Sequence, residues 1–185
     1  MTHLIVALCA VALGIGGTLA VVRHRRVRRS RGAGCVKRIL LPFAGTAISR
    51  RSLDAAFRLA RAENATLVPA FLATVPRHLP LTAPVPAACS VGMPLLEAIE
   101  QAAMRAEIPV DARVGRGRTY RHALSLLLDE EPVDRVIVPA PETRAGLSGD
   151  DLLWLLERAP AEVLILRPGF TDQRRVTGEA VKGHF

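Results

Sequence analysis

The most prominent feature of the chain is a run without any charged residue, from Leu4 to Val22. As a helix, this run would be about 28 Å long, close to the roughly 30 Å of a bilayer's hydrocarbon core. A secretory signal peptide carries its positive charges before its apolar stretch, whereas here the charges follow it. The pattern therefore predicts an uncleaved transmembrane anchor over residues 1–22.

Beyond residue 36, short apolar runs alternate with stretches in which apolar residues recur every three or four positions. The runs predict five strands, at 38–43, 65–72, 110–114, 133–138 and 163–166. The helical spacing predicts four helices, with apolar faces formed by Leu53, Ala56, Phe57 and Ala60, by Leu95, Ile99, Ala102 and Ala106, by Tyr120, Ala123, Leu124 and Leu127, and by part of 151–158. Because right-handed crossovers make such strands parallel, we predict a doubly wound, five-stranded parallel α/β sheet over 36–168. Residues 169–185 are expected to form a flexible tail.

One segment interrupts this alternation. Four prolines between Val75 and Ser90 predict a stiff, extended loop, which also contains Cys89. The apolar residues of this loop, Leu79, Leu81 and Val85, either pack on the domain, which we favour, or dock on a partner.

The last predicted helix contains five consecutive apolar residues, Leu152 to Leu156, with Trp154 in the middle. A helix of a globular domain buries one face, and five apolar residues in a row exceed one face. Part of this helix is therefore expected to be covered by something other than the core. Trp154 belongs either to the core or to an interface.

The positive charge of the chain is concentrated beside the predicted anchor. Of its 25 Lys and Arg residues, eight lie between residues 23 and 38, and the other 17 balance the 17 Asp and Glu residues. By the positive-inside rule, the basic linker over 23–35 places the N-terminus outside and the domain in the cytoplasm, at the inner membrane. The linker residues expected to contact anionic lipid head groups are Arg23, Arg25, Arg26, Arg28, Arg29 and Arg31. No nucleic-acid partner is expected, because such a domain would carry its basic excess on the fold itself.

No catalytic or metal-binding pattern accompanies this architecture. His78 and His122 have no Ser or Cys nucleophile at a recognisable elbow, and the sequence contains no H-E-x-x-H motif. The three cysteines are scattered and form no C-x-x-C pair. We therefore predict neither an enzyme nor a metal protein.

Several motifs resemble landmarks of the universal stress protein family, in the same order along the chain. They are Lys37-Arg-Ile-Leu-Leu-Pro-Phe-Ala-Gly-Thr46, Arg116-Gly117, Val136-Ile-Val-Pro-Ala140, Arg144-Ala-Gly-Leu-Ser148 and Ala159-Pro-Ala-Glu-Val-Leu-Ile-Leu-Arg-Pro168. The last of these motifs is the most specific. The resemblance covers 36–168 and implies a Rossmann-like α/β fold.

The departures from that family concern its nucleotide site. The resemblance implies an Asp at the end of the first strand in ATP-binding members, where this chain has Ala44 before Gly45. The positions that match the family's phosphate loop, G-x-x-G-x9-G-[ST], are Ala140, Thr143, Gly149 and Asp150. Asp150 and Asp151 would repel a phosphate, whereas at the start of a helix both are ordinary residues. We therefore expect no cofactor.

These observations predict a single-pass membrane protein whose domain is an accessory or scaffold subunit of a transporter, respiratory or photosynthetic complex. The alternative is a membrane-tethered stress sensor that binds adenine nucleotides. The candidate contact residues are Leu79, Leu81, Val85, Trp154, Val163 and Ile165. The last strand is also a candidate for self-association as a homodimer, because a strand at the edge of a sheet has unpaired backbone groups.

Overall fold

The computed structural model describes residues 37–140, 147–167 and 175–177. The predicted anchor, the basic linker, Thr143 and most of the tail lie outside these residues. Within the part of the chain that is described, no helix is both long enough and apolar enough to cross a bilayer.

The described residues contain a parallel sheet with helices between its strands. The elements are β1 (Arg38–Phe43), β2 (Ala47–Ser49), α1 (Arg50–Glu63), β3 (Thr66–Thr74), α2 (Pro86–Arg105), β4 (Arg113–Gly117), α3 (Tyr120–Glu130), β5 (Arg135–Pro139), α4 (Gly149–Arg158), β6 (Glu162–Leu166) and β7 (Arg175–Thr177). Five of these strands form one sheet in the order β4-β3-β1-β5-β6, and all its neighbouring strands are parallel. The predicted five-stranded parallel α/β fold is confirmed.

The core lies on both faces of this sheet. On β1, Ile39 and Leu41 belong to a cluster that includes residues of α1 and α2. Leu40 belongs to a second cluster, with residues of α3 and α4. Successive side chains of a strand point to opposite faces, so a strand covered by helices on both sides is apolar throughout. This is why the central strands have continuous apolar sequences.

Charged residues near the amino ends of the strands pair with each other. Arg38 Nη2 lies 2.7 Å from an Asp111 oxygen and 3.1 Å from a Glu131 oxygen. Arg113 contacts the same two carboxylates, with its Nε 2.7 Å from Glu131. Two arginines therefore face two carboxylates, which balances the charge at this edge.

The helix α2 begins earlier than the sequence predicts. The proline-rich loop was expected to extend to Ser90, but it ends at Val85, and α2 starts at Pro86. Proline is well tolerated in the first turn of a helix, because the N–H that it lacks has no partner within the helix there. Cys89 consequently lies in α2, and its placement in the loop is wrong.

The strand β4 begins three residues later than predicted. Val110 forms only an isolated bridge with Leu67, and regular pairing with β3 runs from Arg113 to Gly117. Glycines are weak strand formers, so the sequence predicted a strand that ended at Val114 and did not include Gly115 and Gly117. A Cβ at Gly117 would lie 2.2 Å from the backbone nitrogen of Ala123 in α3, so this packing requires a glycine.

The tail also contains regular structure. The strand β7 pairs antiparallel with β2, with Arg175 opposite Ser49 and Thr177 opposite Ala47. The prediction of a flexible tail is wrong for these three residues, and the rest of the tail lies outside the described residues. Strands of three residues are too short to show a hydrophobic period, which is why both were missed.

Candidate functional site

The strand order defines where a ligand crevice would lie. The chain proceeds from β1 to β3 and β4 on one side, and then to β5 and β6 on the other. In such sheets, ligands bind outside the carboxyl ends of the strands, at the point where the order reverses. Here that point lies between β1 and β5.

The described residues at the carboxyl end of β1 have few polar groups that could bind a nucleotide. Phe43 is buried, Ala44 and Gly45 are half-buried, and Thr46 is exposed. Gly45 has a positive φ of 78°, which glycine adopts without strain and which makes it a turn residue. None of these residues carries a charge.

The carboxyl end of β5 is similar. Pro139 and Ala140 are half-buried and apolar, and the N–H of Ala140 already donates to the Leu166 carbonyl at 2.8 Å. Thr143 lies outside the described residues. Among the described residues 43–46 and 139–140, only the Thr46 hydroxyl and the backbone remain as polar groups for a cofactor.

The N-terminus of α4 is closed by its own side chains. The Ser148 hydroxyl lies 3.2 Å from the Asp151 backbone N–H, which donates to it, and the Ser148 N–H donates to the Asp151 carboxylate at 2.9 Å. Arg121 of α3 donates from Nε to the same carboxylate at 2.7 Å. Asp151 is therefore a capping residue, as the sequence favoured. It also pairs with Arg121, which is then not free to bind a phosphate.

The electrostatics of this helix start disfavour an anion. Burial by itself would raise the pKa of Asp151, but the hydrogen bonds from Ser148 and the charge of Arg121 outweigh it and lower that pKa. Asp151 is thus ionised at neutral pH, and the neighbouring Asp150 is exposed in the first turn. Gly149 begins the helix, and nothing lies within 4 Å of the position that a Cβ would take there. Carboxylates here occupy the positive end of the helix dipole, where a phosphate would otherwise bind.

The proline-rich loop packs on its own domain. Val85 is buried, and Leu79 and Leu81 are half-buried against the α1 and α2 side of the core. Two arginines near the end of β4 hold the loop: Arg116 donates to the Thr82 carbonyl, and Arg118 donates to the Val75 and Pro76 carbonyls. The three apolar loop residues are therefore engaged within the domain, which is the alternative that we favoured.

The helix α4, in contrast, is only partly covered by the core. Leu152 and Leu155 are buried and Trp154 is half-buried against the second core cluster. Leu153 and Leu156 are each 57% exposed. The row of five apolar residues is thus divided between the core and the surface.

The strand β6 lies next to β5 at the end of the sheet, so its other edge has no strand beside it among the described residues. Val163 and Ile165 are half-buried against the same core cluster as Trp154. We call Leu153, Trp154, Leu156 and the strand β6 the α4/β6 surface. Trp154, Val163 and Ile165 are candidate contact residues from the sequence. Leu153 and Leu156 belong to the apolar row that the core was not expected to cover, but they were not named individually; placing the buried face of α4 on Leu152 and Leu155 would have identified them.

His78 and His122, the histidines in the described part of the chain, lie in separate environments. His122 Nδ1 accepts from the Arg118 backbone N–H at 3.2 Å, and the His122 N–H donates to the Thr119 hydroxyl that caps α3. His78 is exposed in the proline-rich loop. The contacts of His122 belong to the start of α3.

No family model matches the sequence, and no curated protein matches it. Solved structures do match the fold. A universal stress protein family member from Burkholderia pseudomallei is 20% identical, with a TM-score of 0.55, and the match covers 72% of this chain and 98% of that one. A universal stress protein in complex with cAMP is 23% identical, with a TM-score of 0.54 and coverage of 74% and 100%. A family member from Arabidopsis thaliana with AMP bound is 9% identical, with a TM-score of 0.54 and coverage of 75% and 95%.

The fold of the described domain is therefore universal-stress-protein-like. Likeness at these identities establishes the architecture, and the resemblance drawn from the sequence motifs is confirmed at that level. Function has to be argued from the residues of this chain, because one fold carries many functions.

Proposed function

We propose that this chain is a membrane-anchored accessory or scaffold subunit, whose cytoplasmic domain binds another subunit of a membrane complex and does not use a nucleotide. The anchor over 1–22 and the arginine linker would hold the domain at the inner membrane. The observation that carries the proposal is the exposure of Leu153 and Leu156 on the helix that precedes the terminal strand β6, in a domain whose described residues at the carboxyl ends of β1 and β5 carry no charge.

The α4/β6 surface has the character of a protein contact. Two exposed leucines and a half-buried Trp154 supply apolar and aromatic area, which is enriched in the centres of interfaces. Within the described part of the chain, the outer edge of β6 has no neighbouring strand, so it adds a row of backbone groups that a partner strand can extend. A homodimer through β6 would use the same edge.

The partner contact can be tested on the full chain purified in a mild detergent. Changing Leu153 and Leu156 to Ser should remove the co-purifying subunit, because it takes apolar area from the centre of the proposed interface. The matched control changes Val91 and Met104 to Ser, two residues of α2 that are 44% and 61% exposed. Equal recovery of the partner with both double variants would contradict the proposal. So would a loss of the partner that is explained by unfolding of the Leu153 and Leu156 variant, as measured by circular dichroism.

The second candidate function is an adenine-nucleotide sensor. It is favoured by one observation, that two structures of similar fold were solved with cAMP and AMP bound. We expect no measurable binding of ATP, AMP or cAMP, because Ala44 provides no carboxylate and Asp150 and Asp151 place negative charge at the α4 N-terminus. Calorimetry on the full chain, with and without magnesium, tests this expectation, and a dissociation constant of about 1 μM would support the sensor instead.

A further inference from the structure

A groove lies along the outer face of α1, on the opposite side of the sheet from α4. Its walls carry Arg51, Asp54, Arg58 and Arg61, which follow one another at intervals of three and four residues. Residues at this spacing share one face of a helix. The apolar part of its lining, which we call the floor, consists of Phe57 and Ala62 of α1 and of Ala106, which directly follows α2; the groove has a volume of about 690 Å³.

The charge of the groove is positive. The one acidic residue in its walls, Asp54, lies 3.8 Å from Arg50, a fourth arginine of the same helix. Arg61 donates from Nη2 to the Ala106 carbonyl at 3.1 Å, which holds its guanidinium across the groove. Arg51 and Arg58 are exposed. Within these walls, three arginines therefore face one carboxylate that already has a basic neighbour.

The spacing of the arginines indicates the shape of an anionic ligand. Arg51 and Arg61 are ten residues apart, which corresponds to about 15 Å along the helix axis. Guanidinium groups spread over this length match carboxylates placed one or two turns apart on a peptide. Each guanidinium can then form charge-assisted hydrogen bonds with a separate carboxylate.

The floor indicates a second property of the ligand. Phe57 is only 6% exposed, yet it forms part of the floor between the arginines, together with two alanines. The aliphatic stems of arginines add apolar surface to such a groove. A ligand that buries apolar side chains on this floor and directs carboxylates outward complements both features.

We propose that this groove is a docking site for an acidic segment of a partner protein that carries apolar residues between its carboxylates. The site is independent of the α4/β6 surface, because α1 packs against one face of the sheet and α4 against the opposite face. The chain can therefore contact two partners, or two parts of one partner, at once.

The test measures binding of a fluorescent eight-residue peptide of glutamates, with leucines at its third and sixth positions, to the full chain in a mild non-ionic detergent. Changing Arg51 and Arg58 to Glu should weaken binding by about tenfold or more, since two attractive contacts become repulsive. Both changes leave the Arg61 contact with Ala106 in place. High salt should weaken binding of the unchanged protein.

The matched control changes Arg77 and Arg167 to Glu, which alters the net charge equally at two exposed positions outside the groove. It should bind the peptide as the unchanged protein does, and so should the Leu153→Ser, Leu156→Ser variant. Absence of saturable binding, or an equal loss in the control, would overturn the proposal. Displacement of the peptide by glycerol 3-phosphate, but not by sulfate, would overturn it in favour of a lipid head group.

Discussion

At the scale of single residues, the approach of α3 to β4 places a tight constraint on Gly117. The Cα of Gly117 faces the backbone of α3, where a Cβ would lie 2.2 Å from the Ala123 nitrogen and 2.7 Å from its Cα. Backbone atoms cannot rotate away as a side chain can. The start of α3, where Thr119 and His122 form the cap, therefore depends on the absence of a side chain at residue 117.

Gly117→Ala should destabilise the domain by about 2 kcal/mol, because β4 and α3 must move apart to admit the methyl group. Gly149→Ala is the matched control, since nothing lies within 4 Å of the Cβ that it would add. That change should be neutral or slightly stabilising, because alanine favours the helix. Denaturant unfolding of both variants measures the difference, and equal stability would contradict the close packing of β4 on α3.

At the scale of elements, α4 combines a capped start with a divided apolar face. Its first turn is held by Ser148, Asp151 and Arg121, which links α4 to α3. Its middle buries Leu152 and Leu155 and leaves Leu153 exposed. The same helix therefore carries carboxylates at its N-terminus and supplies the exposed leucines of the proposed contact surface.

The ion pair at this helix start predicts a pH dependence of stability. The pKa of Asp151 is lowered in the folded protein, so its contribution is present above the carboxyl's ordinary pKa of about 3.9 and is lost as the pH falls through the lowered value. Asp151→Asn should cost about 1 kcal/mol at neutral pH, and this difference should shrink in acid. Unfolding measured from neutral to acidic pH tests the sign.

Asp150→Asn serves as the control for this experiment, because Asp150 is exposed in the same turn. Its effect at neutral pH should be smaller than that of Asp151→Asn. A loss of stability for Asp151→Asn that stays the same down to strongly acidic pH would show that the Arg121 contact does not contribute.

At the scale of the whole domain, the strand order gives each candidate surface its place. β1 and β3 lie inside the sheet and are apolar over 39–43 and 67–73, whereas β4 and β6 end the sheet. The crevice lies between β1 and β5, the α4/β6 surface lies at one end of the sheet, and the arginine groove lies on the α1 side. Three surfaces with different chemistry thus belong to one fold.

The sequence by itself determined the local features. Hydrophobic spacing predicted the helical faces of α1, α2 and α3, because a 3.6-residue period is visible within a dozen residues. The crowded row from Leu152 to Leu156 predicted a helix that the core could not cover completely, and the exposure of Leu153 and Leu156 agrees with it. The motifs predicted the fold, which the solved structures bear out.

Only the tertiary structure decided features that depend on distant residues. The start of α2 at Pro86, the length of β4 and the pairing of β7 with β2 involve partners that no local pattern reveals. The arginine face of α1 is visible in the sequence as a spacing, but it becomes a groove only because Ala106, which follows α2, contributes to its lining. Contacts across the fold created these features, since packing places residues from separate elements side by side.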